Sequence, residues 1–135
     1  MWVMTRFGFF STCRAHTRGV PHPNLMMMRA RKRQHLQALK KAYPFIKAGI
    51  KSGGGTDYPY RIYITTAHWR RLAELLADDV DYTNFKSAAR DTRPNDTQYN
   101  EFLHSVWGAG LRLEAPARPP VAVATLWDEQ TAEPW

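Results

Sequence analysis

Acidic residues are missing from the first part of the chain: residues 1–56 hold eleven Lys and Arg and no Asp or Glu. Residues 57–135 carry eight Lys and Arg against twelve acids, so a +11 segment precedes a −4 segment in a chain of net charge +7. A segment of that kind cannot neutralise itself; it must face the acidic part, water or a polyanion, and such asymmetry speaks to partners rather than to fold. Cysteine is nearly missing too. The single Cys13 allows no internal disulfide and no cysteine-based metal site, and it reads as a small hydrophobe or passive thiol. No apolar run exceeds a few residues, so nothing reads as a membrane span. The opening MWVMTRFGFF has neither the charged n-region nor the apolar h-region of a secretory signal, which makes the cytoplasm the expected compartment. Catalytic signatures are also lacking: there is no G-x-S-x-G, H-E-x-x-H, Rossmann fingerprint or P-loop. No enzymatic role and no cofactor is expected.

The stretch Asp57–Lys86 organises what is present. Tyr60, Ile62 and Ile64 alternate with Arg61 and Tyr63, the period of a half-buried strand, with Pro59 at its start. Thr65 or Thr66 is placed to cap a helix whose stripe is Trp69, Leu72, Ala73, Leu76 and Val80. Asp78, Asp79 and Asp81 crowd its C-terminal end, where the helix dipole disfavours them; they read as a solvated face with Asp81 or Thr83 capping the next helix, or as an acidic site.

From the N-terminus, Trp2 to Phe10 predicts a strand that runs on toward Cys13, with Val3, Thr5, Phe7 and Phe9 on one face and Trp2, Met4, Arg6 and Gly8 on the other. Ala15–Asn24 reads as a loop, because Gly19, Pro21, Pro23 and Asn24 are turn formers; its His16 and His22 lack a third ligand for a metal. Leu25–Ala30 predicts a second strand and Arg31–Tyr43 a helix with Leu36 and Leu39 inward, ended by Pro44. Phe45–Lys51 predicts a third strand. Gly53-Gly54-Gly55 then reads as a hairpin loop, since a phosphate cradle needs a helix after it and here a strand follows. Tyr82–Arg90 predicts a short helix, and Asn95 or Asp96 caps a last one over Thr97–Leu113 with Tyr99, Phe102, Leu103, Val106, Trp107 and Gly110 in line.

The sum is an α+β fold. A four-stranded, mainly antiparallel sheet of two hairpins is packed on one face by three to four helices in the order ββαββααα. Residues 1–113 form a single domain, and residues 114–135 a Pro-rich, flexible tail, with the alternative that VAVATLW adds a short strand or docks on the body.

The blocks RFGFFS, LMMMRARKRQHLQAL, DYPYRIYITTAHW, LADDVDYTNFK and YNEFLHSVW resemble a family of small uncharacterised bacterial and phage proteins, over roughly residues 2–110. There an F-F-S strand precedes an R-A-R strand-to-helix turn, a D-Y-x-x-R strand, a D-Y-x-N-F-K segment and an L-H-x-V-W helix. The resemblance implies a compact α+β unit with the tail as an addition, and a weak phage association; it brings no catalytic residues.

Three functions follow as expectations. In the first, Arg29, Arg31, Lys32, Arg33, Lys40 and Lys41, with Arg61 and Tyr63 on a sheet face, bind nucleic acid or nucleoprotein through phosphate contacts and stacking. In the second, the charge asymmetry and apolar surface serve a protein-binding inhibitor or adaptor. In the third, an enzyme, His68 with Asp57 or Asp81 is the pair to examine.

Overall fold

The computed structural model describes residues 1–53 and 56–113. Gly54, Gly55 and the tail 114–135 lie outside the described residues, and with them the tail's expected flexibility and the docking of VAVATLW. The chain divides into a unit spanning Met1–Glu101 and a second beginning at Phe102.

The fold is α+β. Its elements run β1 (Trp2–Thr5), β2 (Gly8–Thr17), β3 (Val20–Ala30), α1 (Arg33–Ala42), β4 (Lys51–Ser52), β5 (Tyr60–Thr65), α2 (Thr66–Asp78), α3 (Phe85–Thr92) and α4 (Thr97–Gly110). The strands form one antiparallel sheet in the order β1-β2-β3-β5-β4. It has five strands where four were expected, for two local reasons.

First, the single strand expected over Trp2–Phe10 folds back on itself at Arg6 and Phe7, so that Thr5 pairs with Gly8. The Thr5 hydroxyl accepts from the Phe7 N–H at 3.1 Å and donates to the Gly8 carbonyl at 3.2 Å, holding the reversal. The expected face assignment changes as a result: Trp2 now pairs with Ser11 and Met4 with Phe9, so these four share one side. Second, the expected strand Phe45–Lys51 is extended chain without a ladder, and only Lys51–Ser52 pairs with β5. Its side chains are anchored individually instead. Ile46 is 2% exposed in the core, the Phe45 ring receives the Arg71 guanidinium at 4.7 Å, and Lys40 Nζ donates to the Ala48 carbonyl.

The loop expected over Ala15–Asn24 is the far end of a long β2–β3 hairpin. Arg18 (φ 49°) and Gly19 (φ 80°) both have positive φ between paired Thr17 and Val20, which is a two-residue type I′ turn whose twist matches the strands it joins. Pro21 and Pro23 are tolerated because β5 pairs with β3 only from Leu25 onward, leaving the distal part of β3 a partner on one side alone.

The core lies between one sheet face and helices α1 and α2. Phe10, Met28, Ala30, Ile62 and Ile64 from the sheet meet Leu36, Leu39 and Leu72 from the helices, with Trp69 and Leu76 at its margin. Fully burying each of the Phe, Met, Ile and Leu side chains in this core contributes about 1.5–3 kcal/mol. The caps follow side-chain chemistry. Thr65 accepts from the His68 N–H at 3.1 Å, as expected, while α3 is capped by Asn84 rather than by Asp81 or Thr83. Asp79 and Asp81 are engaged elsewhere: both carboxylates receive the Arg6 guanidinium from the β1–β2 turn, at 2.8 and 2.5 Å. No helix among the described residues is long and apolar enough to cross a membrane.

Candidate nucleic-acid interface

The sheet face away from α1 and α2 carries a row made by register. Ser11 pairs with Arg29, Arg29 with Arg61, and Arg61 with Lys51, so these four side chains project together. One row along, Cys13, Met27 and Tyr63 do the same. Tyr58, from the loop before β5, folds onto this face and is 4% exposed. The Arg29 and Arg31 guanidiniums stack over its ring at 4.9 and 5.1 Å, a cation–π pairing that holds the loop down. Arg29 also donates to the Ser11 hydroxyl at 2.8 Å. Arg61 donates to the Gly53 and Tyr58 carbonyls and to the Thr56 hydroxyl, so it too fastens this loop. Lys51 Nζ sits 5.6 Å over the Tyr63 ring, beside a shallow recess of about 360 Å³ lined by Leu25, Ala48, Gly49, Lys51 and Tyr63.

The eight residues expected at a nucleic-acid site therefore separate into two groups. Arg29, Arg31, Arg61 and Tyr63 belong to this sheet face and its rim. Lys32 and the α1 residues Arg33, Lys40 and Lys41 belong to the helical side. Within each group some cations are already employed. Lys32 binds Asp96, Lys40 binds a carbonyl, and Arg31 lies 3.7 Å from Asp57. Arg33 and Lys41 are exposed.

Of the eleven cations in the acid-free segment, Arg6, Arg31 and Lys32 meet a carboxylate; the other eight have no acidic partner among the described residues. Two of the eight, Arg14 and Arg18, stand on the distal β2–β3 hairpin, where every residue from His16 to Asn24 is exposed. That element lay hidden in the sequence because its prolines and glycine read as a loop. The only local hint is Gly19, a residue that adopts the positive φ the turn requires.

A second polar constellation is buried in the first unit. Asp96 caps α4 by accepting from the Tyr99 N–H at 3.2 Å, and it also receives Lys32 Nζ at 2.5 Å, Arg93 Nη2 at 3.0 Å and His35 Nε2 at 3.0 Å. The other His35 nitrogen, Nδ1, accepts from the Phe9 backbone N–H at 3.3 Å, which fixes the neutral tautomer with its proton on Nε2. The Tyr99 hydroxyl donates to the Thr5 carbonyl at 2.6 Å, and Gly8 lies against the imidazole so closely that a Cβ there would fall 2.3 Å from His35 Cγ. Burial pushes the His35 imidazole below its ordinary value; Asp96 pulls the other way, and the nearby Arg93 and Lys32 charges reinforce the drop. Burial alone would raise the Asp96 carboxyl, but its donors outweigh that and hold it well below the usual carboxylate range.

A His–Asp pair of this kind resembles part of a catalytic triad, yet both imidazole nitrogens are engaged and neither has a lone pair to offer a substrate. It is a structural knot. His68, expected as a partner of Asp57 or Asp81, is exposed with its ring 5.4 Å edge-on from Phe45, while Asp81 is taken by Arg6 and Asp57 faces Arg31. His16 and His22 lie on the exposed hairpin, and among the described residues no three His, Cys, Asp or Glu converge as metal ligands. No family model, curated protein or solved structure matches this chain.

Proposed function

We propose that this is a non-enzymatic binding protein whose basic N-terminal half contacts a polyanion, namely nucleic acid or a nucleoprotein. The observation that supports this reading is the set of eight cations within positions 1–56 that have no acidic partner among the described residues, several of them on exposed elements. Cations of that kind gain by neutralising phosphates and releasing their counterions. Arg33, Lys41, Lys51, Arg14 and Arg18 are the residues to test first. Lys32 is a poor choice despite its position, because removing it disturbs Asp96. Fluorescence anisotropy with labelled DNA and RNA, single-stranded and duplex, at two salt concentrations tests the reading. Binding that weakens steeply with salt supports it; no binding at low salt overturns it.

A second reading, a protein-binding inhibitor or adaptor, is favoured by a groove of about 440 Å³ between β1 and α2. It is walled by Trp2, Met4, Trp69, Leu76 and Val80, and β1 is an edge strand beside it. Trp2 is 69% and Val80 59% exposed there, which leaves apolar surface open to a partner beside the edge strand. Retention of a protein partner by the chain, and its loss in Trp2→Ala, distinguishes this reading from the first.

A further inference from the structure

We infer that the distal β2–β3 hairpin, residues 14–24, is a probe for the major groove of B-form duplex DNA. The inference rests on the polyanion reading and narrows it to one nucleic acid and one element.

The dimensions of the hairpin match that groove. Pairing of β3 with β5 begins at Leu25, so beyond this point only two strands continue. The pairs His16–Pro21 and Thr17–Val20 close the tip, and toward the root the register shifts before the Arg14–Met26 pair resumes the ladder. Along β2, from Arg14 to Arg18, the hairpin extends about 13 Å at roughly 3.3 Å per residue. The major groove is about 8.5 Å deep and 12 Å wide, so the tip reaches its floor, and a two-stranded ribbon about 10 Å across its side chains enters it. The minor groove, about 6 Å wide, does not admit both strands. The major groove of A-form RNA is too narrow for side chains to enter.

The chemistry agrees with the dimensions. The acid-free stretch means that no residue of the ribbon repels phosphate. Arg18 occupies the turn itself, where a guanidinium meets base edges such as the O6 and N7 of guanine, and His16, His22 and Asn24 add donors and acceptors along the exposed flanks. Arg14 stands at the root, with one guanidinium nitrogen donating to the Pro23 carbonyl at 2.7 Å. On the other side of the root, Leu25 shares a recess with Lys51, whose ammonium is 5.6 Å from the Tyr63 ring. Cations at the root are positioned for the phosphates that border a groove occupied by the tip.

The ribbon is also built against the competing use of a free strand. Thr17 and Val20 close the two-residue turn, so Pro21 falls where a strand's N–H would face away from β2, and neither Pro21 nor Pro23 has an N–H to offer a further strand. A partner adding a β-strand to this edge finds no donor at either position. Internal ties stiffen the ribbon: the Thr17 hydroxyl bonds His22 Nε2 at 2.9 Å across the strands.

The full chain with a 24-base-pair DNA duplex, the matching single strand and the matching RNA duplex tests the inference, with dimethyl sulfate reporting access to guanine N7. The expected result is tightest binding to duplex DNA, protection of N7, and for R14A/R18A a loss of roughly one unit of slope in log K against log salt, about 0.9 for the phosphate contact of Arg14, together with loss of the N7 protection given by Arg18. Circular dichroism confirms that this variant is folded; both substituted side chains are on the surface. Preference for single strands or RNA overturns the inference, as do duplex binding without N7 protection and an R14A/R18A variant that binds like the parent. These outcomes leave the broader polyanion reading standing, whereas absence of salt-sensitive binding to any of the three defeats both.

Discussion

His35 and His22 belong to the same basic half of the chain and have opposite uses. His35 is 4% exposed, with Phe9 N–H on one nitrogen and Asp96 on the other, inside a cluster that also engages Lys32, Arg93 and Tyr99. His22 is exposed on a two-stranded ribbon and bonds to Thr17. In the knot, polar groups out of water are matched almost one to one, because an unmatched buried donor or carboxylate is expensive. On the ribbon, polar groups remain hydrated and available. The lesson is that a basic segment is not a basic surface. Part of its charge is absorbed in holding the fold together, and only the remainder is presented to solvent.

The contrast between knot and ribbon is tested most severely at Asp96. Asp96→Ala leaves His35, Lys32 and Arg93 beside an empty position and uncaps α4; we expect a loss of about 3–5 kcal/mol in urea unfolding, the usual effect of removing one partner of a buried ion pair. If the loss is under about 1 kcal/mol, the cluster is solvated and the contrast with the ribbon disappears.

Gly8→Ala ranks second. The new Cβ has no room beside the imidazole, and the backbone there is at φ 152°, so either the β1–β2 turn or His35 must shift. A destabilisation of about 3 kcal/mol is expected from overpacking and strain together. By contrast, a Cβ at Gly19 meets nothing within 4 Å, and Gly19→Ala is disfavoured only through its φ of 80°, by about 1 kcal/mol. Urea midpoints of the two variants measure the difference.

The knot is also expected to be acid-labile in two stages. His35 has a folded value below its ordinary one, so the unfolded chain takes up a proton that the native state resists; stability is complete above about pH 6.5 and declines as pH falls from there toward the lowered native value. Asp96 is likewise depressed, and its contribution, present above the ordinary value of about 3.9, is lost on further acidification. Urea midpoints from pH 8 to 3 show the first decline, and His35→Gln should flatten the portion between pH 7 and 5. An unchanged profile in that variant would assign the decline to other groups.

The smallest effect on stability belongs to the ribbon. R14A/R18A should leave the urea midpoint within about 0.5 kcal/mol of the parent, as is usual for exposed positions. A large destabilisation would show that the ribbon, like the knot, serves the fold.

Much of this architecture is legible in the residues. The alternation of Tyr60–Ile64 became β5, Trp69, Leu72, Ala73 and Leu76 of the expected stripe became the inward side of α2, and Thr65 became its cap, because period and capping are local properties of the chain; Val80 falls past the end of the helix at Asp78 and is exposed. Phe45–Lys51 misled because alternating apolar residues satisfy a core as separate anchors as well as a strand does, and Ala15–Asn24 misled because turn formers are compatible with a hairpin where β3 has a partner on one side only.

The candidate site was legible as charge and not as place. Composition alone established that the segment 1–56 cannot balance itself, since net charge is a sum over residues and needs no coordinates. Which cations are absorbed depends on contacts between distant parts of the chain. Arg6 meets Asp79 and Asp81, and Lys32 and His35 meet Asp96, only after the sheet and helices assemble. No sequence pattern encodes such pairings, because a salt bridge between remote residues follows from packing geometry rather than from spacing. Burial then converts those meetings into structure, and the cations left outside the fold stay in solvent.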